Sequence, residues 1–227
     1  MRLNGGFPKL LVDPPWEYDN DQGHDPARGG TPYKQMSIRD LCDMRPLIDK
    51  VVAKDCTMLL WGTRPKQEQA FQLLDAWGFP FVTQVFTWVK LNKNGSLFMP
   101  TKRCIEVNTN SEGTVLGPGD VVIKGGVRSG QGYWTNGQTE FVLMGKRGHP
   151  KRYAKDVKEV IFAPIGDIHS SKPEEVRERI DRVWGPIPGL ELFARPPKVK
   201  SWLKLGYEVD GMDIRDSLAK LIGVDNA

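Results

Sequence analysis

The stretch KLLVDPPWEY at residues 9–18 decides how this chain begins its fold. The apolar run at residues 10–12 predicts the end of a buried strand. Asp13 then stands where the strand emerges, and the two prolines that follow forbid its continuation. Because a residue before proline is restricted to extended geometry, the backbone of Asp13 has little freedom. The pattern predicts a rigid carboxylate at the end of the first strand, followed by an exposed aromatic ring at Trp16.

The composition is that of a soluble globular protein, and we expect one domain over residues 1–227. Hydrophobic residues make up 39% and charged residues 26% of the chain, both ordinary for this class. The net charge of +4 is a weak sign of an anionic partner. The 3 cysteines stand far apart, which fits a reducing cytoplasm and offers neither a disulfide framework nor a zinc site. The apolar runs are short, so the sequence predicts no signal peptide and no membrane span.

Strand and helix signals alternate along the chain, which favours an α/β sheet. Apolar runs predict strands at 9–12, 57–61, 81–89, 139–145, 159–163 and 189–194, with a short one near 206–209. Helical periodicity predicts three helices between and after them, with core faces around Leu73, Ile180 and Leu218. Residues 92–132 are rich in Gly, Asn, Ser and Thr and predict a loop insertion, which either grips the substrate or is a solvated surface loop.

The DPPW motif at residues 13–16 suggests a pocket for an exocyclic amine of a nucleobase. In open α/β sheets, ligands bind at the carboxyl ends of the strands. A fixed carboxylate at Asp13 and a nearby free carbonyl at Pro14 can accept hydrogen bonds from the two hydrogens of one amino group. The flat ring of Trp16 is suited to stack on the base that carries this amine. The alternative interpretation is an ordinary Pro-Pro turn beside a partly buried tryptophan.

The sequence resembles the MT-A family of S-adenosylmethionine-dependent N(6)-adenine methyltransferases from about Phe7 to Gly211. The resemblance rests on DPPW at 13–16, PYKQMS at 32–37, LLWGT at 59–63, GYWTNGQTEFVLMGKRG at 132–148, HSSKPEE at 169–175, ELFAR at 191–195 and GYE at 206–208. It implies a Rossmann-like methyltransferase sheet with circularly permuted motif order, in which the catalytic DPPW strand comes first and the cofactor strand last. It also implies S-adenosylmethionine as the cofactor, with the turn at residues 193–195 in place of a glycine-rich signature.

The resemblance further implies roles for individual residues. Asp13, Pro14, Pro15 and Trp16 are expected to be catalytic, with Asp13 contacting the target amine or the amino group of the cofactor. Cofactor contacts are implied for Asp13, Asn136, Glu140, Glu191, Phe193, Arg195 and Glu208, the last as the acid that binds the ribose hydroxyls. Tyr33 is expected in a loop that closes over the acceptor adenosine, and Trp16 in the wall of the base pocket.

Two basic segments predict contacts with a phosphate backbone, through Lys102 and Arg103 in the insertion and Lys151 and Arg152 in the stretch at 145–158. A solvated basic surface is the alternative for both. The sequence also departs from its relatives: an Asn that commonly precedes the ribose-binding acid is Tyr207 here. The cation that relatives offer the cofactor carboxylate is not obvious in NGQT at 136–139. Nothing in the sequence requires a metal.

The predicted partner is nucleic acid, with DNA favoured over RNA because no added RNA-binding domain is apparent. A homodimer or a partner subunit is the expected assembly. Two other functions stay open: a catalytically inactive partner subunit of the same fold, and a methyltransferase acting on the amine of cytosine. The intact DPPW motif speaks against the first.

Overall fold

The structure, a computed structural model, describes residues 5–18, 35–98, 105–109, 112–116, 122–124, 126–130, 134–166, 170–196 and 201–223. The chain divides into two compact units. The first contains residues 1–87, 140–159 and 178–227, and the second contains residues 88–139 and 160–177. The described residues do not include Tyr33, Lys102 and Arg103, for which the sequence predicts contacts with the substrate.

The strands of the described ranges are β1 (Phe7–Val12), β2 (Val52–Gly62), β3 (Phe81–Leu91), β4 (Ser96–Phe98), β5 (Ile105–Thr109), β6 (Glu112–Leu116), β7 (Val122–Lys124), β8 (Thr139–Arg147), β9 (Val160–Pro164), β10 (Gly189–Leu192) and β11 (Trp202–Leu205). The helices are α1 (Ile38–Cys42), α2 (Arg45–Val51), α3 (Gln67–Ala76), α4 (Glu174–Trp184), α5 (Tyr207–Asp210) and α6 (Ile214–Ile222). A 3₁₀ turn at Arg64–Lys66 precedes α3.

One seven-stranded sheet has the order β11-β10-β1-β2-β8-β3-β9. Strands β11, β10, β1 and β2 run parallel to their neighbours in this series, and β8 runs antiparallel to β2. The connection from β1 leads to β2 on one side, whereas the connection from β10 leads to β11 on the other. The strand order therefore reverses between β1 and β10, which is where open α/β sheets bind their ligands. The predicted α/β class and Rossmann-like sheet are confirmed.

Several elements differ from the sequence-based expectation. The short strand predicted near 206–209 is wrong: the strand ends at Leu205, and Tyr207 begins the short helix α5. Gly206 causes the break, because its φ of 151° takes the backbone out of the strand conformation. The range 92–132, expected as a loop, contains the four strands β4 to β7, which pair as β4 with β7 and β5 with β6. Alternation of apolar and polar residues over three to five residues is too short a signal to distinguish from a loop.

The core of the first unit encloses β1 and positions its carboxyl end. Leu10 and Val12 are fully buried in one hydrophobic cluster, together with residues of β2, β10, α3 and α6. On the opposite face, Lys9 is 0% exposed. Its ammonium forms an ion pair with Asp181 and donates to the Gly185 carbonyl at 3.1 Å. Burial lowers the pKa of Lys9, and the Asp181 carboxylate opposes this effect.

Candidate functional site

A cavity of about 630 Å³ lies in the first unit at the carboxyl ends of β1 and β10. The residues after β1 and β10 form one part of its wall, and the segment from α5 to the start of α6 forms another. Its lining comprises Asp13, Pro14, Pro15, Met36, Phe193, Ala194, Arg195, Tyr207, Glu208, Met212, Asp213, Ile214 and Arg215. The structure thus brings together four predicted groups: the Asp-Pro-Pro turn, Phe193, Arg195 and Glu208.

Backbone hydrogen bonds hold the Asp-Pro-Pro turn in place. The Asp13 N–H donates to the Leu192 carbonyl at 3.4 Å, which continues the pairing of β1 with β10 by one residue. The Pro15 carbonyl accepts from the Met36 N–H at 2.8 Å. The Pro14 carbonyl accepts from the Trp16 N–H at 2.9 Å, so the expectation that this carbonyl is free is wrong. The second lone pair of the Pro14 carbonyl can still accept a hydrogen bond from a ligand.

Trp16 does not present an exposed ring. The residue is 6% exposed and belongs to the hydrophobic cluster of the first unit. A parallel bridge joins it to Met36, which brings a segment twenty positions later against the turn. The expectation of an exposed aromatic is therefore wrong, because proline-rich turns leave the direction of the next side chain open. The contact of Trp16 with a base stays a prediction.

The turn after β10 has an unusual backbone. Phe193 has a φ of 57°, in the left-handed region that disfavours residues with a Cβ. The Ala194 N–H donates to the Leu205 carbonyl at 2.9 Å, which fixes the turn against the end of β11. A non-glycine residue in this conformation persists only where its surroundings hold it. The turn that was expected in place of a glycine-rich signature therefore has a glycine-like backbone at Phe193.

An ion pair joins the two parts of the cavity wall. Arg195 Nη1 lies 2.7 Å from Glu208 Oε1, with side-chain exposures of 12% and 32%. The pair fixes the Glu208 carboxylate three residues after the end of β11. This is the position at which the sequence predicts the ribose-binding acid.

The segment that follows Glu208 contributes wall residues that the sequence-based reasoning missed. Tyr207, Met212, Asp213 and Arg215 all line the cavity. Asp213 caps α6 by accepting from the Arg215 N–H at 2.9 Å, and its carboxylate also accepts from Arg215 Nε at 3.0 Å. The Asp213 carboxylate raises the pKa of Arg215 above its ordinary value. The helix-capping pattern of Asp213 marks the start of α6, but nothing in that pattern indicates a ligand.

Three predicted cofactor residues do not line the cavity. Glu191 is buried in β10, where its carboxylate pairs with Lys204 Nζ at 3.7 Å. Glu140 lies in β8 and is 9% exposed. Asn136 is exposed in the second unit. Contacts of these residues with a cofactor stay predictions.

The basic residues predicted at 145–158 lie on the surface. Lys151 and Arg152 are both exposed. The segment is attached to α4, because the Tyr153 N–H donates to the Val183 carbonyl at 2.7 Å and Asp156 pairs with Arg182 at 3.0 Å. The charges are thus presented by a segment anchored at two points, which suits a phosphate contact and a solvated surface equally.

Within the described ranges, no cluster of three or more His, Cys, Asp or Glu side chains is arranged to hold a metal ion. None of the helices in these ranges has the length and hydropathy of a membrane-spanning segment.

Comparison with known proteins gives consistent similarities. The model of the MT-A70 family matches residues 7–120 and 121–208. The N(6)-adenosine-methyltransferase catalytic subunit METTL3 of Homo sapiens is 26% identical, over 95% of this chain and 30% of the human protein. The N(6)-adenosine-methyltransferase MT-A70-like protein of Drosophila melanogaster is also 26% identical, over 95% of this chain and 29% of the fly protein. The Type II methyltransferase M.MunI of Mycoplasma sp is 24% identical, over 88% of this chain and 76% of that protein. The chain thus spans under a third of the first two relatives and about three quarters of the third.

Proposed function

The chain belongs to the MT-A70 family, and from that premise we propose that it transfers a methyl group from S-adenosylmethionine to the exocyclic amine of adenine in nucleic acid. One observation carries the proposal: Asp13 and the prolines after it line the same cavity as Phe193, Arg195 and Glu208. The turn proposed to bind the target amine and the turn proposed to bind the cofactor therefore line the same cavity. Relatives named as N(6)-adenosine methyltransferases support the choice of reaction.

The residues of the cavity fit this cofactor. The volume of about 630 Å³ lies within the roughly 300–1,000 Å³ of small-molecule sites. Carboxylates at Asp13, Glu208 and Asp213 suit a ligand that carries an ammonium, a sulfonium and ribose hydroxyls. The side chains of Met36 and Met212 supply apolar surface for a purine. When bound, S-adenosylmethionine supplies an electrophilic methyl group on a positively charged sulfur.

The proposed role of the Asp-Pro-Pro turn is to hold and activate the target amine. The lone pair of an adenine amine is delocalised into the ring, which makes the nitrogen a poor nucleophile. Asp13 and the Pro14 carbonyl accept hydrogen bonds from its two N–H groups, which favours a pyramidal nitrogen with its lone pair available. The Asp13 carboxylate also stabilises the positive charge that develops on this nitrogen. Because both acceptors are fixed by proline geometry, orientation contributes to the rate as well.

Glu208 and Arg195 have the proposed role of positioning the cofactor. The Glu208 carboxylate accepts hydrogen bonds from the ribose hydroxyls, as acids in this position do in nucleotide-binding α/β folds. Arg195 holds that carboxylate at 2.7 Å and so restricts its rotamers.

In a duplex, the target base first has to leave the stack, at a cost of a few kcal/mol.

We favour DNA over RNA as the substrate. Support comes from the match to the Type II methyltransferase M.MunI, which is 24% identical over 88% of this chain. The exposed Lys151 and Arg152 are the proposed backbone contacts in the described part of the chain. A partner subunit or a second copy of the chain remains part of the proposal, since the human relative is named as a catalytic subunit.

Labelled methyl transfer tests the proposal. The chain is incubated with methyl-labelled S-adenosylmethionine and with DNA or RNA oligonucleotides of matched sequence, and the digested nucleosides are identified by mass spectrometry. We expect the label in N(6)-methyladenine, with more incorporation into DNA than into RNA. Greater incorporation into RNA would reverse the substrate preference. Label on the amine of cytosine would change the target base, and cofactor binding without transfer would indicate an inactive subunit.

A further inference from the structure

Tyr207 is a largely exposed aromatic residue of the cavity wall. The residue lines the cavity and is 74% exposed, which is high for a side chain of this size. In the described part of the chain, its side chain makes no hydrogen bond. Two other exposed aromatic residues of the chain, Tyr153 at 65% and Trp134 at 98%, do not line it. A largely exposed aromatic ring at the wall of a ligand cavity is suited to stack on a planar group.

The backbone holds Tyr207 at this place. A Cβ at Gly206 would lie 2.8 Å from the nitrogen and 3.1 Å from the carbonyl oxygen of Ala194. The backbone before Tyr207 therefore runs against the turn after β10, and only glycine permits this approach. On the other side, Asp210 accepts from the Met212 N–H at 3.1 Å and from Ser217 Oγ at 2.7 Å. Both ends of α5 are thus attached, so the backbone of Tyr207 is held beside the cavity.

The position of Tyr207 next to Glu208 indicates which part of the cofactor its ring would contact. Glu208 is held at 2.7 Å by Arg195 and, in the proposed function, binds the ribose hydroxyls of the cofactor. A purine attached to that ribose lies within a few ångströms of the hydroxyls. Among the lining residues next to Glu208 in the chain, Tyr207 offers the large flat surface, and Met212 and Ile214 offer apolar edges.

We propose that the adenine ring of the cofactor stacks on Tyr207, with Met212 and Ile214 as the apolar wall beside it. This inference rests on the proposed function and specifies the purine subsite of the same cavity. Stacking uses the face of the ring and not its hydroxyl, so phenylalanine replaces tyrosine without loss.

The test measures binding of two ligands without turnover: S-adenosylhomocysteine, and 5′-methylthioadenosine, which keeps adenine and ribose but lacks the amino-acid group. Calorimetric titrations compare the native chain with Tyr207→Ala and Tyr207→Phe, and with Tyr153→Ala as a matched control. We expect Tyr207→Ala to bind both ligands about 5-fold to 150-fold more weakly, the range known for base–aromatic stacking. Tyr207→Phe and Tyr153→Ala should stay within about twofold of the native chain, by the same reasoning.

The outcomes separate this inference from the proposed function. If the native chain binds S-adenosylhomocysteine but Tyr207→Ala binds it equally well, the stacking inference is overturned and the proposed function stands. If Tyr207→Ala keeps its cofactor affinity but loses affinity for an adenine-containing oligonucleotide, the ring belongs to the acceptor base and the inference is overturned. If the native chain binds neither ligand, the proposed function fails and the inference fails with it. Because the side chain is largely exposed, Tyr207→Ala should keep the thermal unfolding midpoint of the native chain.

Discussion

Arg195 Nη1 lies 2.7 Å from Glu208 Oε1, and this ion pair joins the turn after β10 to the segment after β11. Both residues line the cavity that also contains Asp13. The pair is partly shielded from water, so the carboxylate has a defined direction before a ligand arrives. A preorganised acid of this kind lowers the entropy that ligand binding would otherwise lose.

Replacing Glu208 with glutamine keeps its size but removes its charge. If the carboxylate accepts ribose hydroxyls, the Glu208→Gln variant should lose about 1.5–3 kcal/mol of cofactor affinity, the range for hydrogen bonds to charged groups. That loss is roughly tenfold to hundredfold in the dissociation constant. Calorimetric titration with S-adenosylhomocysteine measures it. The exposed Glu178, outside the cavity, provides the control Glu178→Gln, which should bind as the native chain does. Equal affinities of the two variants would remove Glu208 from the cofactor site.

Truncating Trp16 should destabilise the fold. Its ring is 6% exposed and packed in the hydrophobic cluster, so Trp16→Ala leaves a large cavity. We expect the free energy of unfolding to fall by about 3–5 kcal/mol, as for other buried aromatic residues. Urea unfolding followed by circular dichroism measures this change, and Trp16→Phe, which refills most of the space, should lose less. A loss below about 1 kcal/mol for Trp16→Ala would mean that the ring is not packed as described.

Removing the predicted phosphate contacts should weaken nucleic-acid binding on all sequences alike. Neutralising Lys102, Arg103, Lys151 and Arg152 together removes cations that position the backbone but carry no sequence information. Each lost contact should flatten the plot of log affinity against log salt by about 0.9 on duplex DNA or about 0.7 on single strands. Fluorescence anisotropy of one labelled oligonucleotide at several salt concentrations measures the slope. Cofactor affinity should hardly change, because none of the described lining residues of the cavity is among the four.

A charge-matched pair sharpens this test. Lys151 and Arg152 are exposed in the first unit, and so are Lys50 and Lys54, which lie in no predicted contact segment. Neutralising either pair changes the net charge by the same amount. Only neutralisation of Lys151 and Arg152 should flatten the plot of log affinity against log salt. Equal slopes for the two double variants would mean that the basic stretch at 145–158 is simply solvated, and that the contacts lie elsewhere.

Local patterns predicted the elements that depend on neighbouring residues. The apolar run before Asp13 and the prolines after it define the end of β1, because both effects act within a few residues. Helical periodicity likewise predicted α3, α4 and α6, whose apolar faces are buried. These are statements about backbone and periodicity, which a single sequence contains.

Features that depend on distant residues were not predictable in this way. Trp16 is buried in a hydrophobic cluster built from residues far along the chain, and a bridge joins it to Met36, which the motif does not include. Lys9 is tolerated in the middle of β1 because α4 brings Asp181 to its ammonium. The backbone of Gly206 approaches Ala194 so closely that a Cβ would lie 2.8 Å from the Ala194 nitrogen, and no local pattern encodes this contact. In each case the deciding contact joins residues that are distant in sequence or in different strands.

The central claim is that the Asp-Pro-Pro turn activates the target amine, and methyl transfer by Asp13→Ala tests it most directly. Asp43, an exposed acid outside the cavity, provides the control Asp43→Ala. The measurement is the initial rate of N(6)-methyladenine formation in DNA at saturating cofactor, with thermal unfolding to verify that each variant is folded. We expect Asp13→Ala to lose about 10²–10³-fold in rate, as for removal of one electrostatic contact to a developing charge, and Asp43→Ala to match the native chain. An Asp13→Ala variant that is folded and keeps more than about half of the native rate, against the loss expected for such a contact, would contradict the assignment.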